Sequence, residues 1–196
     1  MMDLPTTPSF LLTGKREVPF LEQFILARQP AIEVISATNR NEFQSIILND
    51  LNDTRLLCFC SGVLVPKAVL NRLNLEPYNI HPGSPNYPGI CPEAFAVANG
   101  AKKFGATAHV ITEKIDEGEI VATNSFSVPK NTDRLALVSL AYNAAVELFA
   151  TVASFVIEND GKMPRSGEKW QGNTNRQADY YTLLKEHPEL IVEHPK

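Results

Sequence analysis

The sequence lacks several patterns, and each shortage excludes a class of protein. Its three cysteines, Cys58, Cys60 and Cys91, are too few and odd in number for a disulfide framework, and its four histidines form no close pair of metal ligands. No apolar run approaches the length of a membrane-spanning helix, and the N-terminus lacks the pattern of a signal peptide. We therefore expect reduced thiols, no bound metal, no membrane association and a cytoplasmic location.

An excess of basic charge is also missing. The 196 residues include 18 lysines and arginines against 22 aspartates and glutamates, and the basic residues are scattered rather than gathered in a stripe. A nucleic-acid partner is therefore not expected. There are no internal repeats and no low-complexity segments, and the length suits one globular domain with a substantial core.

Short apolar runs alternate with segments of helical spacing along most of the chain. The runs predict strands at residues 9–13, 31–37, 56–59, 78–80, 106–111 and 120–128. Helices are predicted at 18–28, from Asn39 or Asn41 through 47, at 66–73, at 93–99, from Asn131 or Thr132 to about 159, and around 180–185. This alternation indicates an α/β fold with a doubly wound, mostly parallel sheet and helices on both faces.

Three polar residues follow the pattern of an acyl-transfer site. Asn79 and His81 are two apart in a predicted strand, so their side chains point the same way. Asp116 comes after enough chain for a helix and a strand to return to the same edge of the sheet. An amide can hold an oxyanion, an imidazole can act as a base near neutral pH, and a carboxylate can set its tautomer.

Each of these residues also has an ordinary interpretation. An isolated histidine after a strand is usually a loop residue, an asparagine can close a turn, and Asp116-Glu117-Gly118 is a common turn sequence. Their order and spacing together favour the functional interpretation. His109, inside a predicted core strand, is interpreted as structural.

The stretch from Asn79 to Ile120 resembles the catalytic core of the folate-dependent formyltransferases, which include glycinamide ribonucleotide, methionyl-tRNA and sugar N-formyltransferases. The resemblance rests on Asn79-Ile80-His81-Pro82, on the strand Gly105–Ile111 and on Asp116-Glu117-Gly118-Glu119-Ile120. One departure is the short Gly83-Ser84-Pro85, where the family has Ser-Leu-Leu-Pro. The resemblance implies a Rossmann-like catalytic domain over residues 1–165 and a C-terminal extension over 166–196 with a short helix.

The same resemblance implies a function and its residues. N10-formyltetrahydrofolate would give its formyl group to a small primary amine, with Asn79, His81 and Asp116 as the catalytic residues. The folate would bind between two loops, residues 61–66 and 111–115. The side chains expected there are Val63, Leu64, Val65, Ile111, Thr112 and Ile115.

The amine is left open, with a nucleotide-linked amino sugar favoured. The first strand is followed by Thr13-Gly14-Lys15-Arg16-Glu17 rather than a phosphate-binding Gly-x-Gly-Ser loop, which weakens a glycinamide ribonucleotide assignment. A transfer-RNA substrate is disfavoured by the charge distribution and by the lack of room for a second domain. Trp170-Gln-Gly172 and Arg176 resemble a segment that follows the catalytic domain of sugar-type members.

Three alternatives remain beside the transferase. Water could replace the amine, which would make the protein a formyltetrahydrofolate hydrolase. The chain could also be a non-catalytic folate-binding domain, or Cys58 and Cys60 could mark redox or metal chemistry. A homodimer is left open.

Overall fold

A computed structural model describes residues 7–48, 51, 53–159 and 161–192 of the chain. Its strands are β1 (Ser9–Thr13), β2 (Val34–Ala37), β3 (Arg55–Phe59), β4 (Tyr78–His81), β5 (Lys103–Val110) and β6 (Ile120–Ser127). Its α-helices are α1 (Val18–Arg28), α2 (Arg40–Ile46), α3 (Lys67–Leu70), α4 (Pro92–Ala98), α5 (Arg134–Glu158) and α6 (Gln177–Glu186). A short 3-10 helix, Pro188–Leu190, follows α6.

The six strands form one sheet in the order β2-β1-β3-β4-β5-β6. The first four run parallel, whereas β5 and β6 are antiparallel to their neighbours. The predicted α/β class with a mostly parallel sheet is confirmed. The antiparallel β4–β5 pair places Asn79 directly opposite His109, which matters for the site below.

Helices cover both faces of the sheet because alternate strand residues point to opposite sides. On one face Leu11, Leu57 and Ile80 pack with residues of α1 and α5. On the other face Leu12 and Cys58 pack with α2 and α3 through residues such as Phe43 and Val69. The inner strands β1 and β3 are therefore buried on both sides, as doubly wound sheets require.

The sequence predictions of element bounds differ from the structure in a few places. The second strand begins at Val34 rather than at residue 31, and α3 is only four residues long. Asn39 caps α2, as one of the two predicted choices, by accepting hydrogen bonds from the backbone N–H groups of Asn41 and Glu42. The long helix α5 is present as predicted, but its predicted first residue, Asn131 or Thr132, was wrong, since the cap is Asp133, whose carboxylate accepts a bond from the Ala136 N–H at 2.8 Å.

The expectation that no apolar run approaches membrane-spanning length is also wrong. By length and composition, α5 is the one helix among the described residues that could cross a bilayer, with an 18-residue window of mean hydropathy 1.7. In the fold, ten of its side chains are buried, including Leu148, Phe149 and Val152 in the core against the sheet. Core helices of water-soluble proteins can have this same composition.

Candidate active site

A cavity of about 420 Å³ lies where the loops after β3, β4 and β5 meet. Most of its lining is apolar, and its polar lining includes the half-buried Asn79 and the buried His81, His109 and Asp116. The volume falls within the range of small-molecule sites, and an apolar pocket with a few convergent polar groups is typical of them. This cavity is the candidate active site.

His81 is the last residue of β4 and is only 5% exposed. Its Nε2 lies 3.0 Å from the Tyr87 carbonyl oxygen, and its Nδ1 lies 3.2 Å from Asp116 Oδ2. Gly83 leaves room for the ring, because a Cβ at that position would lie 2.3 Å from His81 Nε2. The Thr107 hydroxyl holds the same turn by donating a hydrogen bond to the Gly83 carbonyl at 2.7 Å.

The two ring nitrogens of His81 each face an oxygen that can only accept a hydrogen bond from them. A neutral imidazole carries one N–H and can donate to only one of them, whereas an imidazolium can donate to both. The ring therefore gains a hydrogen bond when it takes up a proton. Burial opposes this gain and lowers the pKa of His81 despite the nearby carboxylate of Asp116, so the neutral form is favoured at rest.

Asp116 lies in the loop between β5 and β6, in the left-handed conformation with φ 47°. This strained backbone turns its carboxylate inward, where the residue is only 7% exposed. Burial alone would raise the pKa of Asp116. The facing imidazoles of His81 and His109, together with the Gly89 N–H at 2.8 Å, lower that pKa overall.

His109 contacts two of the predicted catalytic residues, Asn79 and Asp116, although the sequence suggested only a structural role for it. Its Nδ1 lies 2.8 Å from the Val110 carbonyl, and its Nε2 lies 3.0 Å from Asn79 Nδ2 and 3.1 Å from Asp116 Oδ1. The Val110 carbonyl and the Asp116 carboxylate can only accept, so the neutral ring donates to one of them: with the proton on Nδ1, Nε2 accepts from the amide of Asn79, and with the proton on Nε2, the ring donates to Asp116. In the first case the second N–H of the Asn79 amide is left for the cavity.

The structure brings all of the predicted site residues to this one cavity. Asn79, His81 and Asp116 line it together with the six side chains expected to contact folate, Val63, Leu64, Val65, Ile111, Thr112 and Ile115. Leu64 and Ile115 are partly exposed, whereas Val65 is buried in the core beneath the cavity. The roles of these residues stay predictions.

Sequence reasoning missed several contributors to the site. Ile90, Cys91 and Pro92 also line the cavity, and two backbone groups contact the predicted site residues: the Tyr87 carbonyl contacts His81, and the Gly89 N–H contacts Asp116. The sequence Asn86-Tyr87-Pro88-Gly89 indicates a turn here, but it does not show what the turn approaches. Gly89, at φ 96°, passes so close to Asn175 that a Cβ would lie 2.1 Å from its carbonyl oxygen.

The thiols do not resemble a reactive or metal-binding site. All three cysteines are free. Burial raises the pKa of Cys58, and burial followed by the charge of Glu17 raises the pKa of Cys60 to about 12. Among the described residues, no group of three or more histidine, cysteine and acidic side chains is arranged to hold a metal ion.

The fold resembles solved formyltransferase structures. A 4-N formyltransferase from Francisella tularensis superposes with a TM-score of 0.70 at 21% identity, over 90% of this chain and 79% of that one. An N-formyltransferase from Helicobacter canadensis, solved in complex with folinic acid and dTDP-3-aminofucose, gives a TM-score of 0.68 at 16% identity, over 89% of this chain and 72% of that one. At these identities the likeness shows the fold alone.

Sequence comparison gives the family. The methionyl-tRNA formyltransferase of Prochlorococcus marinus subsp. pastoris is 23% identical over 139 residues, covering 70% of this chain and 42% of the relative. The chain spans less than half the length of the curated relatives it matches. The family model described as formyl transferase matches residues 24–152, about two thirds of the sequence, and the chain therefore belongs to the formyl transferase family.

Proposed function

We propose that this chain is a formyltransferase domain that moves a formyl group from N10-formyltetrahydrofolate to a small primary amine. The observation that carries the proposal is that Asn79, His81 and Asp116 meet in one cavity, where close polar contacts run from Asn79 to His109, from His109 to Asp116 and from Asp116 to His81. An amide, an imidazole and a carboxylate in contact are the groups that acyl transfer to nitrogen needs.

The cavity suits a folate-type formyl donor. Val63 and Leu64 form an apolar wall on one loop, and Ile111 and Ile115 form the other. Backbone N–H and C=O groups of these loops are suited to the polar edge of a pterin, while the side chains cover its faces. N10-formyltetrahydrofolate supplies an activated formyl group when bound.

Asn79 would stabilise the charge that develops on the formyl oxygen as the amine attacks. When the proton of His109 is on Nδ1, its Nε2 accepts one N–H of the Asn79 amide and fixes the plane of that amide. The remaining N–H is then positioned before the reaction begins, and losing one such donor typically costs about 3 kcal/mol of transition-state stabilisation.

His81 would accept the proton that the attacking amine releases and would pass it to the nitrogen that leaves as tetrahydrofolate. Its lowered pKa keeps the ring neutral and able to accept a proton at neutral pH. Both ring nitrogens face protein oxygens, so proton uptake requires the contact with the Tyr87 carbonyl to open or a water to relay the proton through Asp116. Asp116 then stabilises the imidazolium by ionic attraction.

A phosphate-bearing amine such as a nucleotide-linked amino sugar is the acceptor we favour. The turn from Thr13 to Glu17 follows β1, which lies between β2 and β3, the point where open α/β sheets bind ligands. Lys15 and Arg16 are exposed there. The Helicobacter canadensis structure with dTDP-3-aminofucose is consistent with this class, whereas the curated relatives are named for methionyl-tRNA. A cytoplasmic location stays a prediction.

A tetrahydrofolate-release assay tests the proposal. Purified protein is mixed with N10-formyltetrahydrofolate and separate amines: a nucleotide-linked amino sugar, glycinamide ribonucleotide, methionyl-tRNA, or none. We expect release that depends on the amino sugar, with a higher KM for that amine in a Lys15→Ala/Arg16→Ala variant and an unchanged KM for the folate.

The other outcomes identify the alternatives. Release without any amine would indicate the hydrolase, and release with only glycinamide ribonucleotide or methionyl-tRNA would replace the favoured acceptor. Binding of the folate with no release for any amine would contradict the transferase proposal and favour a non-catalytic folate-binding domain.

A further inference from the structure

The segment from Ser166 to Arg176, here called the C-terminal strap, is hydrogen-bonded to two of the three loops of the candidate site, those after β4 and β5. On the loop that carries Asp116 and its continuation into β6, the Ser166 N–H donates to the Ile120 carbonyl at 3.0 Å, and Trp170 Nε1 donates to the Gly118 carbonyl at 2.8 Å. On the loop after β4, the Gln171 N–H donates to the Pro85 carbonyl at 2.9 Å. The strap therefore ties together two loops that are distant in sequence.

Trp170 is the strap residue that also contacts the imidazoles. Its half-buried indole meets the ring of His109 edge to face at 5.2 Å between centroids and the ring of His81 at 5.9 Å. The same indole bonds to Gly118, two residues after Asp116. One side chain thus touches both histidines of the site and the backbone that carries their carboxylate partner.

The end of the strap fixes the backbone on either side of Gly89, whose N–H is another partner of Asp116. Asn175 donates its N–H to the Pro88 carbonyl at 2.9 Å and accepts a bond from the Ile90 N–H at 3.0 Å. Between those two residues lies Gly89, whose N–H donates to Asp116 Oδ2 at 2.8 Å. Asn175 therefore fixes the backbone from which this donor reaches the carboxylate.

We propose that Trp170 is a positioning residue that sets the orientation of the His81 and His109 rings and the placement of the Asp116 loop. Trp170 lies beyond residues 24–152, the region that the family model matches. The kinetic test of this role rests on the proposed formyl transfer. Its structural test depends only on the contacts that the strap makes.

The physical reason is that polar contacts at both nitrogens of each imidazole still leave small rotations about the Cα–Cβ and Cβ–Cγ bonds, which packing against the ring restrains. A ring edge held against an indole face, or the reverse, has a preferred geometry that a smaller side chain cannot supply. Misplacing reacting groups by about 1 Å can cost about a hundredfold in rate. Trp170 would thus affect the chemical step without contacting either substrate.

Two substitutions separate the contacts that Trp170 makes. Trp170→Phe keeps an aromatic ring and removes the bond to Gly118, whereas Trp170→Ala removes both. We expect kcat to fall about tenfold to a hundredfold in the alanine variant, with partial recovery in the phenylalanine variant. The KM for the folate should stay within about twofold. Lys169→Ala, which changes an exposed neighbour in the strap, is the matched control and should leave kcat unchanged.

Histidine NMR gives a readout that does not depend on turnover. The imidazole nitrogen resonances of His81 and His109, which report the hydrogen bonding and tautomer of each ring, are compared in wild type, both Trp170 variants and the control, with His187, outside the cavity lining, as an internal reference. Asp116 is the charged group that faces both rings, and Glu93 lies at longer range from His81. Each of the two rings also affects the other. We expect both site histidines to shift in Trp170→Ala, to shift less in Trp170→Phe, and to stay unchanged in Lys169→Ala.

The two readouts distinguish the possible failures. Shifted histidine resonances in a protein that transfers formyl to no amine would contradict the proposed function and support the positioning role. Unchanged resonances of His81 and His109 in Trp170→Ala would overturn the positioning role even in an active enzyme. A raised folate KM with unchanged kcat would also overturn it, and if the alanine variant fails to fold, the phenylalanine variant decides in the same way.

Discussion

Asp116 Oδ2 lies 3.2 Å from His81 Nδ1, and the side chains of both residues are less than a tenth exposed. Water screens an ionic interaction weakly at such depth, so the charge on either group strongly affects the other. Their protonation is therefore coupled. A change at one residue is expected to appear in the behaviour of its partner.

Removing the charge of Asp116 tests that coupling in catalysis. Asp116→Asn keeps the size of the side chain but removes the negative charge that would stabilise an imidazolium at His81. We expect turnover to fall at least about a hundredfold, and His81→Ala to cost at least as much. The measurement is kcat for tetrahydrofolate release with the best amine.

Glu117→Gln is the matched control, because it makes the same chemical change one residue away on an exposed side chain. It should retain full turnover. Normal activity in Asp116→Asn or in His81→Ala, with folding verified by thermal unfolding, would remove the proposed mechanism.

Asn79→Ala separates chemistry from binding. If the amide stabilises the oxyanion, kcat should fall about a hundredfold to a thousandfold, while the dissociation constant for folinic acid changes by no more than about twofold. Trp170, the only tryptophan, provides a fluorescence signal for that binding titration. A weakened affinity with an unchanged kcat would instead assign Asn79 to substrate binding.

The order of strands and helices could be predicted from the sequence because apolar residues recur at a spacing typical of a strand or of a helix within each element. The strand Ser9–Thr13 and the helix Val18–Arg28 have the predicted bounds. The errors fall where local signals compete. Asn131, Thr132 and Asp133 are all acceptable helix caps, and only the backbone path decides that Asp133 reaches the free N–H of Ala136.

The site was predictable only where side chains followed one another in a pattern. Asn79, His81 and Asp116 could be found in this way. The part played by His109 could not, because it depends on the antiparallel pairing that places His109 opposite Asn79. The Tyr87 carbonyl and the Gly89 N–H belong to the backbone, which has no residue signature.

The apolar wall of the cavity can be tested at an exposed position. Leu64 is 57% exposed and lines the cavity, so Leu64→Asp should fold normally. The charge would face the folate, and we expect the dissociation constant for folinic acid to rise about tenfold. Leu48→Asp, at a position 83% exposed and outside the cavity lining, is the control. Equal affinities of the two variants would argue against a folate-binding role for Leu64.

The cap of α5 gives a prediction about stability alone. Asp133→Ala removes the acceptor for the Ala136 N–H and should lower the free energy of unfolding by about 1 kcal/mol. Asn131→Gly should cause no loss, because Asn131 has φ 60° and glycine adopts that conformation without strain. Urea unfolding of both variants measures the difference, and a larger loss in Asn131→Gly would show that the cap has been misassigned.

Acid should destabilise the protein in a way that His81 accounts for in part. Burial holds the pKa of His81 below its ordinary value of 6.5 in the folded state. As the pH falls below 6.5, the unfolded chain takes up a proton at this position that the folded protein does not, so the free energy of unfolding decreases. The lowered pKa of Asp116 adds a further loss only below its ordinary value of 3.8.

Urea unfolding between about pH 8 and about pH 5 covers the window in which histidines titrate. A single site can contribute a slope of at most about 1.4 kcal/mol per pH unit. His81→Gln removes this site while leaving the other histidines, so the wild-type profile should be steeper and the difference should grow as the pH falls. Parallel profiles would show that the pKa of His81 is not shifted. A wild type that gains stability relative to the variant on acidification would show that Asp116 raises that pKa more than burial lowers it.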